Sequence, residues 1–155
     1  MELSIIFLPL IASIISGFFG KFIGDRNSEI LTSALVSISA LLSIHVLYQV
    51  IVNQYEENIV IATWISSGSL DVNWSMLIDP LSAVMLVVVT SISALVHIYS
   101  IGYMSHDPHK PRFMAYLSLF TFAMLMLVTS DNFIQLFFGW EGVGLCSYFL
   151  IGFWF

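Results

Sequence analysis

Five long apolar runs dominate this sequence and limit it to folds that suit a lipid bilayer. They lie at about 3–23, 30–52, 77–101, 113–130 and 132–155. Each run is close to the ~20 residues that a helix needs to cross ~30 Å of hydrocarbon. Hydrophobic residues form 59% of the 155-residue chain and charged residues only 9%, which is outside the range of soluble globular proteins. We therefore predict an all-α membrane protein with five transmembrane helices in a single domain, 1–155.

The segment 53–76, between the second and third runs, is the one sizeable polar connection. β-prone residues at 59–65 are followed by a Ser-Ser-Gly-Ser turn and by an alternating apolar and polar pattern over 70–76. This order predicts a short β-hairpin on the outer face of the helices. Trp64 and Trp74 are interpreted as anchors at the membrane surface rather than as ligand-binding rings, because such rings are common at headgroup level.

The four basic residues predict the orientation of the chain. Lys21 and Arg26 follow the first run, and Lys110 and Arg112 precede the fourth. These connections fall on one side, which the positive-inside rule makes cytoplasmic, so the N-terminus is expected outside and the C-terminal end inside. No basic segment precedes the first run, which is therefore interpreted as a retained span rather than a cleaved leader. A bacterial cytoplasmic (inner) membrane is expected, with a mitochondrial inner membrane as the alternative.

Charge and cysteine content exclude several classes of function. A net charge of −6 leaves no basic surface for a nucleic-acid backbone. The single cysteine, Cys146, excludes a disulfide framework, and no Cys and His spacing suits zinc or an iron–sulfur cluster. His106 and His109 are interpreted as solvated loop residues. We therefore expect neither a metal nor a redox cofactor in this chain.

A carboxylate in the middle of the last run carries the functional prediction. Glu141 lies about ten residues into that run, ~15 Å from its outer end. An ionised side chain at this depth costs ~2.5–3.5 kcal/mol on insertion scales, so the group must be neutral, paired or hydrated within protein. We interpret it as a proton-translocating group, with a structural hydrogen bond between helices as the alternative. Its neighbours Gly139, Gly142 and Gly144 make room for a partner, form a contact between helices, or do both.

Proton transfer by such a group requires a cation at the same depth, because a nearby positive charge favours the ionised form that burial disfavours. All four basic residues lie at helix ends. The cation is therefore expected on another subunit or in a further part of a longer protein. The apolar stretch that ends at Phe155 without a flanking charge favours the second interpretation.

Four other polar residues are candidate helpers on a proton path. Asp79 is interpreted first as a helix N-cap and second as a proton-handling group. His45 and His97 lie inside the second and third runs, as relays or as histidines satisfied by packing. Tyr148 follows Glu141 by seven residues and so lies on nearly the same helix face, where it can hydrogen-bond along a water path.

Three stretches of sequence resemble a known family. They are Asp-Pro-Leu-Ser at 79–82, Val-His-Ile-Tyr-Ser-Ile-Gly-Tyr-Met at 96–104, and Phe-Gly-Trp-Glu-Gly-Val-Gly-Leu-Cys-Ser-Tyr-Phe-Leu-Ile-Gly-Phe-Trp at 138–154. Together they resemble the N-terminal part of the chain L family, the antiporter-like membrane subunits of NADH:quinone oxidoreductase, respiratory complex I. The resemblance covers essentially the whole chain. Subunits of multisubunit cation/proton antiporters share its Trp-Glu core.

The resemblance implies that Glu141 is the fifth-helix glutamate of the family's proton channel, and that its partner is a lysine on a seventh helix. These 155 residues contain no such helix, so the chain is expected to be the N-terminal portion of a longer proton-channel domain. The resemblance also implies that the partners are other membrane-arm subunits. Flavin, iron–sulfur clusters and quinone are then held by those partners, with no redox active site in this chain.

The leading hypothesis is a proton-translocating membrane-arm subunit, or its N-terminal fragment, that couples quinone reduction to proton pumping. One alternative is a subunit of a multisubunit Na⁺/H⁺ antiporter. The other is a truncated copy that is inactive in transport on its own.

Overall fold

The computed structural model of the chain describes residues 1–154, which form five helices and one hairpin. The elements are α1 Glu2–Ile23, α2 Asp25–Asn53, β1 Glu57–Ser67, β2 Leu70–Ile78, α3 Pro80–Tyr103, α4 Lys110–Val128 and α5 Phe133–Ile151. All five helices are long and apolar enough to cross a membrane. The prediction of an all-α membrane protein with a hairpin between its second and third helices is therefore confirmed. Phe155, which ends the predicted fifth span, lies outside the described residues.

Three helices begin three or more residues away from the start of their apolar runs: α2, α3 and α4, the last at Lys110 rather than at residue 113. α2 begins at Asp25 rather than at residue 30, because Gly24 alone, at φ 92°, joins it to α1. Its 29 residues extend for about 44 Å, more than the hydrocarbon thickness, so its first turn projects beyond the apolar run. α3 begins at Pro80 rather than at residue 77, because the residues before Asp79 complete β2.

The predicted fifth span, 132–155, is too long. α5 ends at Ile151, and Gly152 closes its last turn. Phe153 then folds back against α4, where it is 5% exposed and its ring centroid lies 4.7 Å from the guanidinium carbon of Arg112. The apolar character of this segment therefore reflects contact with α4 rather than a longer helix.

The hairpin is antiparallel, with Ser67 paired to Leu70 across a turn in which Gly68 has φ 63°. The predicted alternation holds only in its first half, because Ser75 is 1% exposed and so is as deeply buried as the neighbouring Met76. Ser75 and Met76 point to opposite faces of the strand, and both faces are buried at this point. The second half of β2 is covered on both sides.

Contacts with α5 and with the segment before it explain this burial. The amide side chain of Gln135 accepts a hydrogen bond from the Ser75 backbone N–H (3.1 Å) and donates one to the Ser75 carbonyl (2.7 Å). Asn132 donates a third bond to the carbonyl of Asn73 (2.9 Å). The hairpin therefore lies over the connection between α4 and α5 and is fixed to it by paired backbone groups, which a buried strand edge requires.

Trp64 and Trp74 also attach the hairpin to α5. Their rings stack with centroids 4.9 Å apart, and the Trp74 ring meets Phe138 edge-on at 4.8 Å. The interpretation of these residues as membrane-surface anchors stays a prediction. In the structure they form an aromatic contact between the sheet and a helix, an arrangement worth ~0.5–1.5 kcal/mol per pair beyond its buried area.

The helices pack in the order α3, α2, α1, α4 and α5, each against the next. An apolar core lies near the hairpin and consists of Ile5, Ile6, Val46, Val50, Met76, Ile78, Ala83, Leu86, Leu125 and Met126. At the opposite end small polar groups replace it: the Ser16 hydroxyl lies 2.6 Å from that of Ser28 and donates to the Pro111 carbonyl (2.8 Å). Helices in membranes commonly associate through such small residues.

The end opposite the hairpin carries all four basic residues. Lys21 lies in the last turn of α1, Arg26 in the first turn of α2, and Lys110 and Arg112 in the first turn of α4. Their placement on one side of the bundle agrees with the sequence prediction. We call this side the basic end; its assignment to the cytoplasm, and with it the outward N-terminus, stays a prediction.

Candidate functional site

The site is built on α5, which two glycines hold close to α4. A Cβ atom added at Gly139 would lie 2.8 Å from the backbone nitrogen and Cα of Leu127. At Gly142 it would lie 3.3 Å from the Cβ of Ala123, whereas Gly144 has open space beside it. Of the two roles considered for these glycines, Gly139 and Gly142 therefore form a helix contact, and Gly144 leaves a gap on the uncovered surface of α5.

Glu141 lies near the middle of the 19-residue α5, on the side away from α4. The side chains of α5 that turn inward include Gln135 and Cys146, whereas Glu141 and Tyr148 are both exposed. Tyr148 is 72% exposed. The structure thus places the two predicted residues on one face, two helical turns apart, and Cys146 on another face, as the helical spacing indicates.

The Glu141 carboxylate has no ion-pair partner within residues 1–154. It lies on the surface of the five-helix bundle rather than in a cavity between these helices. In a bilayer this surface would place a carboxylate in hydrocarbon, at a cost of ~2.5–3.5 kcal/mol or more when ionised. Physical chemistry therefore requires that protein or water covers this face of α5 in the working molecule.

His97 lies elsewhere, between α3 and α4, and is 1% exposed. Its Nδ1 lies 2.7 Å from the Ser93 carbonyl oxygen and its Nε2 lies 3.1 Å from the Ser118 hydroxyl, so both ring nitrogens have partners. The Ser93 hydroxyl also hydrogen-bonds that of Thr121. This arrangement agrees with the alternative in which His97 is buried with its hydrogen bonds satisfied by neighbouring groups. A relay role for His97 stays a prediction.

Three members of this cluster were not identified from the sequence: Ser93, Ser118 and Thr121. Their spacing was an available signal, because 93 and 97, and likewise 118 and 121, lie one helical turn apart within apolar runs. Ser93 and Thr121 also line an otherwise apolar groove of about 380 Å³ between α3 and α4. The sequence does not reveal that these two helices meet at this level.

The remaining predicted helpers are not brought to Glu141. His45 is exposed on α2 within the described residues, where its Nε2 lies 3.4 Å from the side-chain nitrogen of Gln49, and its role as a relay or a packing histidine stays a prediction. Asp79 lies at the hairpin end, where its side chain accepts a 2.7 Å hydrogen bond from the Ser82 backbone N–H. The N-cap interpretation of Asp79 is thereby confirmed.

Replacing Asp79 by Ala tests how much this cap contributes. We expect the free energy of unfolding to fall by ~1 kcal/mol, because the first turn of α3 loses its hydrogen-bond acceptor. Thermal or denaturant unfolding of the purified protein measures the change. Asp79→Asn is the matched control, since its side-chain oxygen still caps the helix. If Asn destabilised the protein as much as Ala, the charge of Asp79 would matter and the cap explanation would fail.

The loop between α3 and α4 contacts Trp154, which lies three residues after the end of α5. Trp154 donates a 2.7 Å hydrogen bond from Nε1 to Oδ2 of Asp107. This bond, helped by the backbone N–H of His109, lowers the pKa of the Asp107 carboxyl below its ordinary value. His106 and His109 are exposed, and within residues 1–154 no three His, Cys, Asp or Glu side chains are arranged to hold a metal ion.

Five membrane-length helices, one of them with a carboxylate at its middle, define a multi-pass membrane protein. Residues 64–114 match the family model of the N-terminus of chain 5 of NADH-ubiquinone oxidoreductase (complex I). The chain is 59% identical to NADH-ubiquinone oxidoreductase chain 5 of Arabidopsis thaliana and 58% identical to that of Triticum aestivum, over 100% of its length. It is 55% identical to that of Phytophthora infestans, over 99% of its length.

The chain is thus homologous to NADH-ubiquinone oxidoreductase chain 5, which confirms the resemblance to an antiporter-like subunit of complex I. It spans 23% of the length of each of these three relatives.

Proposed function

We propose that the chain supplies five transmembrane helices of an antiporter-like, proton-translocating subunit in the membrane arm of NADH:ubiquinone oxidoreductase. Glu141 is the titrating group that this chain contributes to the proton channel. Other membrane-arm subunits and the lipid bilayer are its partners. Flavin, iron–sulfur clusters and quinone belong to partner subunits, so this chain transfers no electrons itself. The identity with chain 5 over the whole chain supports the assignment.

The single observation that carries the proposal is the position of Glu141 on the uncovered face of α5. A carboxylate halfway along a transmembrane helix is stable there only if a further helix or water covers it. The open space beside Gly144 permits close approach of such a helix. A cation on that helix would compensate the Glu141 charge, which has no ion-pair partner within residues 1–154.

Movement of that cation would convert Glu141 into a proton carrier. When the cation is near, the ionised carboxylate is favoured and the proton is released; when it moves away, burial favours the neutral acid and a proton is taken up. The resemblance described above points to a lysine on a later helix as the cation. Tyr148, on the same face, is suited to hydrogen-bond a water path toward the basic end.

The same comparisons also support a proposal for the cellular membrane. The three relatives named above come from eukaryotes, and their names specify ubiquinone. These findings favour the mitochondrial inner membrane over the bacterial membrane that was expected first. We place the basic end in the matrix by the positive-inside rule.

Sealed vesicles of that membrane separate this function from sodium/proton antiport. Proton movement should follow addition of NADH and should be absent when a sodium gradient is applied without NADH. Vesicles from cells that lack the chain serve as the control and should retain neither NADH-driven proton movement nor the assembled complex. Proton movement that follows the sodium gradient and ignores NADH would support the antiporter alternative instead.

A further inference from the structure

A second carboxylate, Glu29, is buried at the basic end of the bundle. It lies in the second turn of α2 and is 4% exposed, and its Oε1 has no hydrogen-bond partner within residues 1–154. One turn further, Ser33 is 6% exposed and its hydroxyl oxygen also has no partner there. Residues four apart lie on the same helix face. Two buried polar groups therefore share one face of α2 without a hydrogen-bond partner among the described residues.

The charges around Glu29 do not neutralise it by direct contact. Lys110 from α4 and Asp25 and Arg26 from its own helix are the charged groups that act on it, and Glu29 forms no ion pair in the described part of the chain. Of the other helices that pack on α2, α1 carries Lys21 in its last turn and α3 carries no Lys, Arg, Asp or Glu; neither forms an ion pair with Glu29 within residues 1–154. An ionised carboxylate without a paired cation is costly to bury.

A protonated carboxyl removes this cost and provides a donor as well as an acceptor. A single water molecule can accept from the acid O–H and donate to the Ser33 hydroxyl, which satisfies both groups that otherwise have no partner. The geometry points to a site for one proton and one water molecule, formed by Glu29 and Ser33. The site takes up its proton from the aqueous phase at the basic end: the carboxylate and hydronium become the carboxylic acid and water. It is separate from Glu141 and does not depend on the function proposed above.

Infrared spectroscopy of the whole assembled complex at neutral pH tests the site. A proton held by Glu29 gives a C=O stretching band of the acid form, whereas exposed carboxylates are ionised and give none. We expect Glu29→Gln to remove this band, and Glu56→Gln, at an exposed carboxylate between α2 and β1, to leave it unchanged. Transfer to D₂O should shift the band, because the proton exchanges with water. An unchanged spectrum in Glu29→Gln, or a band that D₂O does not shift, would overturn the proposal.

Ser33→Ala tests the bridge if the Gln variant does not assemble. Loss of the hydroxyl should shift the carboxyl band, because the water molecule loses a partner. Ser37→Ala is the matched control, since the Ser37 hydroxyl already donates to a backbone carbonyl, that of Ser33 (2.7 Å). Equal spectra of wild type and Ser33→Ala would contradict the bridge. None of these infrared measurements involves NADH or proton transport. A negative result would therefore overturn the Glu29 site without bearing on the proposed function.

Discussion

Glu141→Gln in the assembled complex should stop proton translocation through this subunit while NADH oxidation remains intact. Gln has nearly the same size as Glu and keeps its hydrogen-bonding ability, but it cannot take up or release a proton. We expect proton flux through the subunit to fall on the order of 100-fold, the lower end of what a positioned acid–base group contributes. Proton flux in sealed vesicles and NADH oxidation in the same preparation measure the two effects separately.

Two further substitutions make this experiment specific. Glu56→Gln changes an exposed carboxylate between α2 and β1, outside the membrane helices, and should leave proton flux unchanged. Glu141→Asp keeps a titrating group but shortens the side chain, and should retain part of the flux. If Glu141→Gln pumped like wild type, Glu141 would have the structural role considered as an alternative, because Gln preserves a hydrogen bond between helices.

Much of the fold was predictable because hydrophobic length is a direct consequence of bilayer thickness. A run of apolar residues must be about as long as the hydrocarbon layer, so the five helices follow from the sequence. The length of a helix beyond the bilayer does not follow from it, which is why the start of α2 at Asp25 was not predicted. Nor does apolarity alone distinguish a helix from a segment such as Phe153 that folds back onto its neighbour.

The candidate site was predictable in chemistry but not in orientation. Glu141 can be identified from the sequence because an ionised carboxylate inside an apolar run has a high free-energy cost in the bilayer. Which side of α5 meets α4 depends on the closeness of Gly139 to Leu127, and a sequence that contains three glycines in this segment does not specify which of them makes the contact. The direction in which Glu141 points therefore required the structure.

Buried polar residues show the same limit. Gln135 and the serines around His97 are visible in the sequence only as interruptions of apolar runs, and Glu29 only as a charged residue that precedes one. Whether such a residue faces lipid, a neighbouring helix or a strand depends on tertiary contacts, because a hydropathy profile contains no information on partners. The pairing of Gln135 with Ser75 joins residues 60 positions apart, and no local pattern predicts it.

Gly139→Ala should be the most destabilising single methyl addition on α5. The added Cβ would lie 2.8 Å from backbone atoms of Leu127, which cannot rotate away as a side chain can. α5 must therefore move away from α4, and this movement also strains the bonds between Gln135, one turn earlier, and the hairpin. We expect the free energy of unfolding to fall by ~1–3 kcal/mol, the usual cost of overpacking, measured as a lower midpoint of thermal unfolding.

Gly144→Ala provides the matched comparison on the same helix. Because nothing lies within 4 Å of its added Cβ, we expect stability to be unchanged or slightly higher, as Ala favours helix more than Gly does. Gly142→Ala should be intermediate, since its Cβ would meet only the Ala123 side chain at 3.3 Å. If Gly139→Ala and Gly144→Ala lowered stability equally, the glycines would act through backbone flexibility rather than through contact with α4. If Gly144→Ala left stability unchanged but impaired proton flux, the methyl group would obstruct the approach of whatever covers Glu141, which is the result that the uncovered face of α5 leads us to expect.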